Sequence, residues 1–170
     1  MKELETKRLI LRNLKKSDYK DMFEYAKKDN IGPNAGWSPH KDKKTTKTIL
    51  KQMILSDDVL AICIKPSNKM VGTIGLHKRN NGYEIGYVLD DIYWGNGYMT
   101  EAVKRMIDYA FNELEINRLY CNHYDFNLRS KRVIEKCNFK YYSTELKFDR
   151  NNVLQNVLMY YLDKGDYKHE

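Results

Sequence analysis

The sequence predicts an α/β chain folded as one domain over residues 1–170, with elements in the order β-α-α-β-β-β-α-β-α-β-β. Three observations predict it. Short runs of alternating or β-branched apolar residues are interleaved with segments whose apolar residues recur at i, i+3 and i+4. Two joins between strand-like runs, Ser67-Asn68 and Asn80-Asn81-Gly82, are short and polar, as hairpins require. A chain of 170 residues can bury a sizeable core, and no repeat, low-complexity tract or Pro/Gly-rich linker divides it.

Arg8 to Asn13 reads as the first strand. Ser17 is placed to N-cap a helix over Asp18 to Lys28, with Tyr19, Met22, Phe23 and Ala26 on its apolar stripe. Asn30 to His40 carries two glycines and two prolines and reads as a loop. A second helix follows over Lys44 to Leu55, then strands at Val59 to Lys65, Met70 to His77 and Tyr83 to Leu89. From Met99 onward, Ala102, Val103, Met106, Ile107, Ala110, Phe111 and Leu114 form the stripe of a helix with one buried face. A strand over Arg118 to His123, a helix over Leu128 to Lys136, and strands near Lys140 to Leu146 and Val153 to Tyr161 complete the order. Asn138, just past that helix, suits a left-handed C-terminal cap.

Thirty basic against 23 acidic residues give a net charge of +7. The lysines are scattered, and the densest stretch, Lys41 to Lys47, is broken by Asp42 and two threonines. That pattern describes a solvated face and not a nucleic-acid surface. No run of about 18 apolar residues is present, so no membrane span is expected. Met1 to Glu5 lack the apolar core of a secretory signal, and cytoplasmic residence is the expectation. Cys63, Cys121 and Cys137 lie in apolar segments without a CxxC or Cys/His cluster; they read as reduced core thiols, and no metal is expected.

The most informative stretch is Tyr93-Trp94-Gly95-Asn96-Gly97-Tyr98-Met99-Thr100-Glu101-Ala102, between a strand and the most periodic helix. A glycine-bearing turn into a helix start leaves backbone N–H groups unpaired at the positive end of the helix dipole, where a phosphate can sit. Two glycines can equally serve only to make a tight turn. Neither GxxxxGK[ST] nor GxGxxG fits, since Thr100 takes the last glycine position.

This stretch resembles the acetyl-CoA loop of the GCN5-related N-acetyltransferases (GNAT), in the Tyr-Trp-Gly-x-Gly-Tyr-x-Thr-Glu-Ala version of their RimJ/RimL-like ribosomal-protein branch. Three further segments match in order: Thr6 to Arg12, Val71 to Gly75, and Asn127 to Phe139. The resemblance spans nearly the whole chain. It implies one mixed, mostly antiparallel sheet of about seven strands flanked by about four helices. It also implies that the strand ending at Leu89 splays from the strand ending near His123, so that the pantetheine arm of acetyl-CoA pairs with Tyr87, Val88 and Leu89. Trp94, Gly95, Asn96, Gly97, Tyr98, Met99 and Thr100 are then the pyrophosphate loop. Trp94 stands where the wider family has Gln or Arg, and Met99 replaces a small residue. The implied partners are acetyl-CoA and an amine acceptor, with the chain a monomer or homodimer.

Acetyl transfer to an amine needs a held thioester, a neutral nucleophile and a protonated leaving thiol. An α-amine titrates at about 7.7–8.0 and a lysine at about 10.4, so a base must remove a proton. Strand alternation sets Glu84, Gly86 and Val88 on one face and Tyr83, Ile85, Tyr87 and Leu89 on the other. A lone acid there is either a surface residue or a carboxylate beside a cleft. The resemblance, through the Glu84-Ile85-Gly86-Tyr87 stretch, implies that Glu84 is the general base. Asn127 suits a helix cap, and by resemblance it also contacts pantetheine. Where many relatives carry a tyrosine as proton donor this chain has Ile134, which leaves Ser130, or a water it holds, to protonate the thiolate. Trp37 lies in the loop that borders the acceptor site in the implied fold, and His40 beside it has no readable partner. The expected activity is acetylation of a primary amine, most of all a protein N-terminus. Small amines such as polyamines or aminoglycosides, and a catalytically silent acyl-CoA-binding module, are the alternatives.

Overall fold

The computed structural model describes residues 1–168, so the last two positions of the expected domain lie outside the described residues. Eight strands form one open sheet: β1 (Leu4–Glu5), β2 (Leu9–Asn13), β3 (Val59–Ile64), β4 (Lys69–Arg79), β5 (Gly82–Leu89), β6 (Arg118–Tyr124), β7 (Lys140–Phe148) and β8 (Leu154–Asp163). Their spatial order is β1-β2-β3-β4-β5-β6-β8-β7. Every neighbouring pair is antiparallel except β5–β6. The α-helices are α1 (Tyr19–Ala26), α2 (Lys43–Ser56), α3 (Tyr98–Asp108) and α4 (Leu128–Lys136). β1 makes the count eight where periodicity predicts seven, because two residues are too few to display a period; only the pairing Leu4↔Leu11 and Glu5↔Ile10 reveals it.

Alternation along the strands divides the apolar residues between two layers. On β3, Ile62 joins a cluster with Leu9, Ile85, Met106 and Phe111, whereas Ala61 and Cys63 join one with Met22, Tyr25 and Leu50. The first layer lies under α3 and the second under α1 and α2. All three cysteines are buried, and none forms a disulfide among the described residues. Burial raises the Cys63 thiol to about 11, so it packs as a neutral apolar group.

Two local details depart from the periodic reading. Ser17 does not cap α1. Residues Lys16–Asp18 form a 3₁₀ turn, and the Asp18 carboxylate accepts from the Lys15 N–H at 2.7 Å. Leu114 is exposed although the stripe includes it, because the helix widens to a π-turn over Tyr109–Glu113 and shifts the phase of the residues after it. By contrast α2 is capped by Asp42, whose Oδ1 accepts from Thr45 N–H at 2.7 Å, and Asn138 adopts the left-handed conformation at φ 62°.

Asp18 also receives Arg12 in a two-pronged pair, Nη1 to Oδ2 at 2.9 Å and Nη2 to Oδ1 at 2.8 Å, with both side chains buried. Asp18→Ala strands a buried guanidinium. We expect it to cost about 3–5 kcal/mol in stability, read from urea unfolding.

Candidate active site

β5 and β6 pair only at Tyr83↔Leu119 and Glu84↔Tyr120. Beyond this β6 follows β8 for its whole length, through His123↔Leu158 and Tyr124↔Val157, while β5 stays with β4 to Gly72↔Leu89. The two strands diverge, and the β5 main chain from Tyr87 to Leu89 faces a cleft instead of a neighbouring strand. That smaller cleft, of about 100 Å³, is lined by Tyr87, Val88, Leu89, Trp94, Met99, Asn127 and Ser130 among others. The cofactor-binding residues expected from the strand, from the loop start and from α4 therefore meet in space. One donor–acceptor relation differs from expectation. The Leu89 carbonyl accepts from Trp94 Nε1 at 2.9 Å, so the indole is turned into the chain, where Arg129 lies over it at 4.4 Å.

The glycine loop runs between Trp94 and Met99, both of which line the cleft. Gly95 and Gly97 have φ of 79° and 78°, values open to glycine and strained for any other L-residue. Gly97 is the N-cap residue of α3 and offers no side-chain cap. The first bond of the helix runs from Glu101 N–H to Gly97 C=O at 3.0 Å, so the N–H groups of Tyr98, Met99 and Thr100 lack intrahelical acceptors. Asn96 turns its side chain inward to the carbonyls of Tyr93 and Trp94. Met99 is buried in the first apolar layer as well as in the cleft wall.

Arg8 on the segment leading into β2 braces this loop. Its Nη1 donates to Asn96 O at 2.9 Å, its Nε to Glu101 Oε2 at 2.7 Å, and its guanidinium lies 4.5 Å from the Tyr98 ring centre. Burial pushes Glu101 up, but hydrogen bonds from Thr6, the Arg8 main chain and the Arg8 side chain carry it below the usual range. The Thr6-Lys7-Arg8 and Thr100-Glu101 segments, distant in sequence, are thus two halves of one clamp. On the other side, Lys28 Nζ donates to both Asp90 and Asp91, fixing the turn that leads into the loop.

Ser130 is buried at the first turn of α4, where its N–H donates to Asn127 Oδ1 at 3.2 Å. Asn127 is therefore the cap that the sequence suggests. Ser130 Oγ lies 2.8 Å from the Tyr87 hydroxyl, and burial pushes the Tyr87 phenol well above its ordinary range. This hydroxyl pair escaped sequence reading, since 43 residues separate its members and only the fold joins them.

A larger cavity of about 760 Å³ opens on the α1–α2 side of the sheet and reaches Tyr87, Asn127 and Ser130. Glu84, Trp37 and His40 line it. Glu84 is not a lone acid. Arg79 Nη2 lies 2.8 Å from its Oε1 and Arg79 Nε 3.3 Å from its Oε2. A carboxylate has about four lone-pair sites, so this pairing leaves room for a further donor. Trp37 packs against the second apolar layer and tilts against the His40 ring at 5.1 Å. His40 has the partner that could not be read from sequence, Thr46 Oγ1 at 2.9 Å from Nδ1, and burial lowers its pKa. The hydroxyl of Tyr25, a residue of the cavity wall, is buried, and burial pushes its phenol well above the ordinary range. Among the described residues, no group of three or more His, Cys, Asp or Glu side chains is arranged to hold a metal ion, and no helix is long and apolar enough to cross a membrane.

The model of the acetyltransferase (GNAT) domain family matches residues 8–140. An uncharacterized N-acetyltransferase, p20 of Bacillus licheniformis, is 27% identical over 177 residues, which cover 98% of this chain and 99% of the relative. Among solved structures, a GNAT-family acetyltransferase from Bacillus anthracis superposes with a TM-score of 0.89 at 21% identity, over 96% of this chain and 99% of that one. A putative ribosomal-protein-serine acetyltransferase from Vibrio cholerae superposes with a TM-score of 0.81 at 16% identity, over 95% and 97%.

Proposed function

The chain belongs to the acetyltransferase (GNAT) family and is an acetyl-CoA-dependent N-acetyltransferase; from this premise we propose that residues 1–170 form one such domain that acetylates a protein N-terminal α-amine. The observation that carries the reading is the glycine loop at the start of α3, opening beside the gap between β5 and β6. Unpaired N–H groups at a helix start suit a pyrophosphate, and a strand edge that no strand covers over Tyr87 and Val88 suits an extended amide-bearing chain. Acetyl-CoA would accordingly lie along Tyr87 to Leu89 and across Trp94 to Thr100, with Asn127 beside its arm. The acceptor would enter the larger cavity past Trp37. The Tyr-Trp-Gly-x-Gly-Tyr-x-Thr-Glu-Ala version of the loop, like that of the RimJ/RimL-like ribosomal-protein branch, supports a protein terminus as acceptor.

Within this reading Glu84 is the general base. Its charge draws in an ammonium group, and its free lone pairs accept a proton, which passes on to solvent. Ser130 gives a proton to the leaving thiolate. The Tyr87 hydroxyl, in contact with Ser130 Oγ, can refill it. A thiolate is already a fair leaving group, so the help is modest. We expect Ser130→Ala to lower kcat by about 10- to 100-fold, with the acetyl-CoA KM nearly unchanged, in a stopped-flow or steady-state thiol assay. A raised KM with intact kcat assigns the hydroxyl to positioning alone.

The overall reading is tested by following free thiol from acetyl-CoA against a panel of amines. The panel holds peptides with a free N-terminal serine or alanine, spermidine and an aminoglycoside. Preferred turnover of a peptide is the expected result, and preference for a small amine replaces the acceptor class. Calorimetric binding of acetyl-CoA without turnover of any amine identifies a silent acyl-CoA-binding module.

A further inference from the structure

The wall of the larger cavity carries a second acid–imidazole arrangement next to Glu84. His77 Nδ1 lies 2.6 Å from Asp58 Oδ2, and Asp58 Oδ1 accepts from Ser56 Oγ at 2.5 Å. The Asp58 carbonyl also accepts from Leu76 N–H at 2.9 Å, which ties the turn before β3 to β4. A carboxylate only accepts, so a neutral His77 carries its proton on Nδ1 and leaves the Nε2 lone pair bare. Burial pushes the Asp58 carboxyl up, but hydrogen bonds from Ser56 and His77 hold it below the ordinary range, so it stays ionised at neutral pH.

The sheet is shaped to receive this ring. Gly75 and Gly86 are direct cross-strand partners, and His77 faces Glu84 in the next pair of the same face. A Cβ on Gly75 would meet His77 Nε2 at 2.5 Å, and one on Gly86 would meet it at 3.5 Å. The imidazole therefore lies in a slot cut by two glycines, with Nε2 above the strand that continues into Tyr87. An ion pair that only joined a turn to a strand would need no such slot. The wall around it also holds Asp58 and Arg79, Glu84 on β5, His123 on β6, His40 and Arg150; α2 contributes Gln52, Met53 and Ser56, none of which titrates.

We propose that His77, oriented by Asp58, is a second catalytic base that takes a proton from the attacking amine nitrogen at Nε2. This rests on acetyl transfer to an amine that enters the larger cavity. Proton accounting calls for two acceptors. An ammonium R–NH₃⁺ ends as an amide with one N–H, so two protons leave. The first leaves before the nitrogen lone pair can attack, and Glu84 serves it. The second leaves as the C–N bond forms and the C–S bond breaks, and it passes to His77 Nε2. Asp58 stabilises the resulting imidazolium. One proton equivalent returns to the thiolate through Ser130, and the other reaches solvent.

The two bases differ in their dependence on pH. Glu84 acts on a proton that alkaline solution removes anyway, whereas the proton taken by His77 is shed only during the chemical step. With the amine selected by the panel, we expect His77→Gln to lower kcat by about 10- to 100-fold. That loss should persist above the amine's own pKa, while the loss in Glu84→Gln shrinks there. Calorimetric acetyl-CoA affinity should be unchanged, and added imidazole should restore part of the activity of His77→Gly. In the native protein, ¹⁵N NMR of His77 should show the Nδ1–H tautomer. The proposal is overturned by an Nε2–H tautomer, by a His77→Gln variant within threefold of native, or by a loss that fades with rising pH. It is also overturned if acetyl-CoA affinity falls in step with kcat, which assigns His77 to shaping the sheet. If the native protein acetylates no amine, the acetyl-transfer reading fails first, and the tautomer measurement still decides whether His77 presents a base.

Discussion

Glu84→Gln should bind acetyl-CoA as the native protein does and turn over roughly 10²- to 10⁴-fold more slowly near neutral pH, the usual range for general acid–base help. Glutamine keeps an oxygen for Arg79, which contacts Glu84 at 2.8 Å, so the change removes charge and basicity more than shape. The sign of the pH dependence is set by the acceptor. Below its pKa, about 7.7–8.0 for an α-amine, the nucleophile arrives protonated and needs the carboxylate most. The deficit should therefore be largest on the acid side and narrow as the medium takes over the deprotonation. Steady-state rates across about pH 6 to 9 check this, and full activity throughout makes Glu84 a bystander.

Gly97→Val should weaken acetyl-CoA binding by about 100-fold or more, measured by calorimetry. Gly97 sits at φ 78°, which a β-branched residue adopts only with strain, and it forms the N-cap from which α3 presents its unpaired N–H groups. Relaxing the strain turns those donors away. Losing two hydrogen bonds to a charged phosphate, at about 1.5–3 kcal/mol each, accounts for the size of the effect. A Cβ at Gly97 finds its nearest neighbour, Arg8 Nη2, only at 3.5 Å, so φ and not crowding is the cause. Unchanged affinity would refute this placement of the pyrophosphate. Circular dichroism and the unfolding midpoint separate loss of the loop from loss of the fold.

The order and type of the elements were legible in the sequence because each signal is local. Apolar period, hairpin turns and the Asn138 stop all act within a few residues. Ser17 and Leu114 departed from the periodic rule for different reasons: Arg12 took Asp18 into a buried pair, and a local π-turn rotated the end of the helix. The four motifs brought the cofactor half of the site within reach, since a glycine turn before a helix carries its donors on its own backbone.

The acceptor half was decided only in three dimensions. Arg79 on Glu84, Tyr87 on Ser130 and Asp58 on His77 join residues from 5 to 43 positions apart. No period along the chain records them. Sequence by itself marked a backbone suited to a phosphate and an acid, Glu84, suited to taking a proton. The tertiary structure decided that Glu84 meets Arg79 and that His77 meets Asp58, because strand register and the divergence of β5 from β6 set distances that no single segment contains.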